Sequence, residues 1–158
     1  MHPAFPIGLV LSLAVAVFAR SAGFDRDRAF YPTVVIVVAS YYVLFAAMSG
    51  SVPALLMESI VAAAFVIAAV VGFRSSPWVV AAALAGHGVF DGLRGHVLTN
   101  SGVPAWWPAF CAAYDLGAAA GLAWMLAGET RRLYTATPRP TPWSARSGAS
   151  REVSRPSR

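Results

Sequence analysis

The chain has 158 residues, 58% of them hydrophobic and only 12% charged, with a mean hydropathy of +0.62. A soluble domain carries about 25% charged residues, so this balance excludes an ordinary water-soluble fold and points to a surface that faces lipid. The net charge of +5 is local: from Glu129 onward there are seven Arg and two acids, whereas residues 1–128 hold five of each.

The sequence predicts an all-α polytopic membrane protein, a bundle of five transmembrane helices in residues 1–134, followed by a disordered basic tail over 135–158. The spans fall at about 4–19, 32–48, 52–73, 77–98 and 104–128. A span needs roughly 17 to 25 residues, so the first two are short but sufficient. The first is expected to be a retained helix. Met1-His2-Pro3 before it carries no Arg or Lys, and Arg20, Arg26 and Arg28 follow it, the reverse of a secretory signal. Pro32, Pro77 and Pro104 open the second, fourth and fifth stretches, and Pro53 stands second in the third. Proline suits a first helical turn, where its missing N–H is no loss. Short polar connectors make successive helices antiparallel neighbours.

Arginine placement sets the expected orientation. The first connector holds Arg20, Arg26 and Arg28, the third holds Arg74, and the stretch from Glu129 onward holds seven more; the second and fourth hold none. This implies a multi-pass plasma-membrane protein with its N-terminus outside and its C-terminus in the cytoplasm. Arg94 alone lies on the other side, about 6 Å from its helix end at 1.5 Å per residue, where it can snorkel to water. The tail is mostly Pro, Ser, Thr, Ala and Arg, with Trp143 its one large apolar residue; it has no apolar periodicity and cannot bury a core. Beside a membrane domain it marks the cytoplasmic side, so no nucleic-acid partner is expected. One Cys excludes an intrachain disulfide. All 12 basic residues are Arg, and Lys and Gln are absent, which reads as the coding bias of a GC-rich bacterial genome.

The fourth span contains Gly86-His87-Gly88-Val89-Phe90-Asp91-Gly92-Leu93-Arg94-Gly95-His96. Titratable groups are expensive in hydrocarbon, which makes this cluster the first place to look for function. His87, Asp91 and Arg94 share one helical face, and His96 lies about 180° away from His87. On the fifth span Trp107, Cys111 and Asp115 form another face. Counted from the outer helix ends, Glu58 lies about 9 Å deep, Asp91 and Cys111 about 10 Å, and His87 and Asp115 about 16 Å. Tyr41 and Tyr42 stand at a similar level and read as core packing. The glycines at 86, 88, 92 and 95 permit close approach by neighbouring helices, or irregular backbone beside a polar cavity.

His87, Asp91 and Asp115 are the candidate catalytic residues, with His87 as the proton-transfer group and a carboxylate as its orienter. Glu58, Arg94, His96, Trp107 and Cys111 are the candidate ligand-binding residues. His and carboxylates are ligands that zinc accepts, but His96 points the wrong way for a regular helix, and neither a metal nor any other cofactor is assigned. The Walker-type loop, the nucleophile elbow and the Cys-x2-Cys pair are all missing from the sequence.

The His-Gly-x2-Asp-x4-His segment, a short turn, then Val103-Pro104-Ala105-Trp106-Trp107-Pro108-Ala109-Phe110-Cys111 and Asp115 resemble a family of small bacterial integral membrane proteins, the DUF6010-like group. The resemblance covers roughly residues 84–125. It implies a shared pattern at His87, Asp91, His96, Trp107, Pro108, Cys111 and Asp115, and no activity. Three functions are compatible with these residues. The first is an intramembrane His/Asp/Glu pocket in the outer half of the bilayer that binds, or processes by acid–base chemistry, a small amphipathic ligand. The second is a proton-coupled small transporter, which with five helices would need a homo-oligomer. The third is a non-catalytic membrane subunit whose polar residues hold helices together.

Overall fold

The computed structural model describes residues 3–26 and 28–136, and side chains as far as residue 130. Five α-helices follow one another: α1 (Ala4–Ala22), α2 (Phe30–Met48), α3 (Val52–Arg74), α4 (Pro77–Val97) and α5 (Trp107–Ala136), with one 3-10 turn at Phe24–Arg26. Among the described residues there is no strand. Residues 1–126 form one compact unit, which holds every candidate site residue; of the second, 127–158, the C-terminal part of α5 is described. The expected tail therefore lies, from residue 137, outside the described residues.

Local chemistry fixes the helix ends. Ser51 and Ser76 cap α3 and α4, their hydroxyls accepting from the Ala54 and Trp78 N–H, with Pro53 and Pro77 in the first turns. Gly23, at φ 80°, closes α1 in the left-handed conformation that favours glycine. The fifth helix starts at Trp107 rather than at the expected Pro104. A helix from 104 would place Pro108 in its interior, where the Pro104 carbonyl would lack a donor and meet the ring. Starting at Trp107 puts Pro108 in the first turn. At the other end α5 runs past the expected 128, since no proline stands in its way before Pro138.

The core gathers Tyr31 and Val35 of α2, Ala69 of α3, Val80 and Leu84 of α4, and Ala119 and Leu122 of α5. Small residues let α1 and α5 approach closely: a Cβ on Gly8 would strike the Phe110 carbonyl, and one on Gly117 the Ser12 side chain. Of the four α4 glycines only Gly88 serves such a contact, lying against Ala112, Asp115 and Leu116 of α5. A Cβ on Gly86, Gly92 or Gly95 would meet nothing within 4 Å among the described residues, so these three do not serve close approach; the buried stripe of α4 runs through 84, 87, 88, 91 and 94 and leaves them outside it.

Large apolar side chains cover the outside, among them Val10, Ile60, Ile67 and Trp124. Among the described residues α1, α2, α3 and residues Trp107–Thr130 of α5 are long and apolar enough to cross a membrane. These helices mark a membrane protein. The remaining helix, α4, falls short in composition, because it carries His87, Asp91, Arg94 and His96.

Candidate functional site

Two helices build the centre. On α4, His87 and Asp91 are four residues apart and face inward together, 1% exposed each. On α5, Asp115 faces them and is fully buried. Gly88 is what lets α5 come this close, since its missing side chain leaves room for Asp115. His87 Nδ1 and Asp115 Oδ2 share a hydrogen bond at 2.7 Å, and His87 Nδ1 lies 3.4 Å from Asp91 Oδ2. One nitrogen and two carboxylate oxygens thus fall within 4.8 Å of one another. The imidazole is framed by aromatic rings: Phe65 of α3 meets it edge-on at 4.7 Å, and Tyr42 of α2 stands at 6.0 Å.

A second polar group lies one turn along α4. Arg94 is buried and forms an ion pair with Glu58 of α3, which is also buried. Snorkelling to water is therefore not what Arg94 does; an opposite charge on the neighbouring helix holds it inside the bundle. Asn100, in the α4–α5 connector, donates to Glu58 Oε1 at 3.1 Å and to the Tyr42 carbonyl at 3.2 Å.

Tyr42 joins the two groups. Its hydroxyl donates to Asp91 Oδ1 at 2.6 Å, and its ring lies 4.0 Å beneath the Arg94 guanidinium. It is thus a polar partner as well as the core packing that its apolar body suggested. Asn100 had no signal in the sequence beyond being a polar residue in a short connector. Both become visible only when α2, α3 and the connector are brought together.

The other candidates fall outside this centre. His96 is exposed on the far side of α4, as its helical angle implies, so the structure does not bring it to His87. Trp107 packs edge-to-face with Tyr41 and Phe45, each at 5.0 Å. Cys111 is buried, one turn before Asp115. Trp107 and Cys111 both line a groove of about 860 Å³ between α1, α2 and α5, whose walls are otherwise almost wholly apolar, including Leu11, Val34, Val37 and Phe110. His87, Asp91 and Asp115 are not part of its wall.

Comparison of the chain with family models, with curated proteins and with solved structures finds no match.

Proposed function

We propose that this protein crosses the membrane five times and takes an amphipathic molecule from the bilayer into the groove between α1, α2 and α5, with His87, Asp91 and Asp115 as the reactive centre behind it. One observation carries this reading. Cys111 lines the groove and, four residues before Asp115, occupies the same face of α5, so groove and cluster share a wall. The volume lies within the range of about 300–1,000 Å³ that ligand pockets occupy. An apolar lining suits a hydrocarbon chain, and an imidazole between two carboxylates can hold a proton or a cation.

The fifth crossing is α4. Its 21 residues span roughly 31 Å at 1.5 Å per residue, close to the thickness of the hydrocarbon core. Its polar groups other than His96 point inward, while Trp78, Val89, Leu93 and Val97 face out. The arginine pattern then puts the N-terminus outside and the cluster in the outer half of the bilayer. Reporters fused after Ser51, Ser76 and Ser101 should show the middle site alone in the cytoplasm; an outside signal at Ser76 would reverse the topology.

Binding is tested by native mass spectrometry of the detergent-purified protein with oleate as the probe. A saturable one-to-one adduct is expected. Val34→Phe with Val37→Phe, which narrows the groove, should weaken it at least tenfold, about 1.4 kcal/mol. Adducts that never saturate, or that the narrowed groove retains in full, would overturn the reading.

A further inference from the structure

The reactive centre has more acceptors than donors. We infer that His87, Asp91 and Asp115 bind a divalent transition cation of the zinc class. The inference rests on the reading that this cluster is a working centre rather than a tie between helices.

Hydrogen bonding is the first support. Among the described residues neither Asp91 Oδ2 nor Asp115 Oδ1 has a hydrogen-bond partner, as is also true of Glu58 Oε2 in the neighbouring pair, and the two aspartates are 1% and 0% exposed. A buried acceptor left unmade is costly, and more so when it is charged. The three groups have one hydrogen-bonding proton among them that the structure uses, between His87 Nδ1 and Asp115 Oδ2. A cation at the same place would engage the imidazole and both carboxylates together.

Distances agree. Zinc bonds of about 2.0–2.1 Å in tetrahedral geometry place ligand atoms roughly 3.3 Å apart. His87 Nδ1 and Asp91 Oδ2 already stand at 3.4 Å. The 2.7 Å contact to Asp115 needs to open by about half an ångström to reach the same 3.3 Å edge.

Charge agrees as well. Two carboxylates bring two negative charges to a buried place, and Arg94, the nearest permanent cation on α4, is engaged by Glu58. A divalent ion matches that charge with a neutral imidazole. An imidazole nitrogen among carboxylate oxygens favours zinc and its transition-metal neighbours over magnesium or calcium. The set is a three-ligand one, which leaves a position for water or substrate, as catalytic zinc sites do. Around it stands a supporting partner of the expected kind: the Tyr42 hydroxyl holds Asp91 Oδ1 at 2.6 Å and so leaves Oδ2 directed at His87.

The test uses the full chain in detergent, stripped with chelator and titrated with Co²⁺ as a coloured substitute for zinc. One Co²⁺ per chain is expected, with the intense visible absorption of a four-coordinate ion. His87→Gln and Asp115→Asn should each lose the ion by more than the 10–100-fold that Tyr42→Phe, a change in a supporting partner alone, is expected to cost. Asp115→His, which restores a ligand, should recover binding with a shifted spectrum, and this guards against a variant that merely misfolds. His96→Ala should bind like the parent. Failure to take up Co²⁺, or equal uptake by His87→Gln, overturns the proposal. If Co²⁺ is not bound while the oleate adduct persists, the metal centre falls and the groove reading stands.

Discussion

Two buried charged groups lie one turn apart on the same face of α4, and they are built on opposite plans. Arg94 meets Glu58, so the charges cancel; Asn100 adds a hydrogen bond to the carboxylate, and the Tyr42 ring supports the guanidinium. His87 meets two carboxylates, so the charges do not cancel; among the described residues unpartnered buried oxygens stand in both groups, Asp91 Oδ2 and Asp115 Oδ1 here and Glu58 Oε2 beside Arg94. Both groups sit among helices that could have packed with leucine and alanine, as the opposite half of the bundle does around Val35, Val80 and Leu84. A buried, balanced pair is what structure alone asks for. Two carboxylates facing one imidazole are not balanced in that way.

The largest effect that can sharpen this contrast comes from breaking the balanced pair. Glu58→Ala leaves Arg94 buried without a counter-charge and should lower stability in detergent by about 3–5 kcal/mol. Replacing both partners, Glu58→Leu with Arg94→Leu, should restore most of the loss, because an apolar pair of similar volume removes the desolvation penalty together with the attraction. If the double variant stays as unstable as the single one, the pair does more than balance itself.

A smaller effect probes the unbalanced cluster. His87→Gln and Asp115→Asn remove the two ends of one hydrogen bond, so their effects on stability should not add, with a coupling of about 0.5–3 kcal/mol. Strict additivity of the two in thermal unfolding would mean that the residues act separately, and the contrast between the two groups would lose its basis. A second readout separates structure from function: these variants should stay folded yet lose Co²⁺, whereas the Glu58→Leu, Arg94→Leu double variant should keep it.

Whatever depends on one helix at a time is legible in the amino-acid order. Composition required lipid around the chain, hydropathy located the helices, and the 3.6-residue period put His87, Asp91 and Arg94 on one face of α4 and Cys111 with Asp115 on one face of α5. The same period removed His96 from the cluster. It also gave depths that brought Glu58, Tyr42 and the cluster to neighbouring levels. Proline is the less secure guide: Pro104 has the look of a helix start, although Pro108 four residues later forbids it.

Which faces meet is a property of the assembled helices. Periodicity fixes an angle about a helix's own axis but not the rotation of one helix against the next, so it could not say that Arg94 turns to Glu58 instead of reaching water. Nor could it say that Tyr42 would link the two groups, or that Asn100 would reach them from a connector. The groove beside Cys111 belongs to no single helix, since α1, α2 and α5 each supply one wall. Of four glycines that looked alike in the sequence, packing selected Gly88, because it alone lies on the line where α4 and α5 touch.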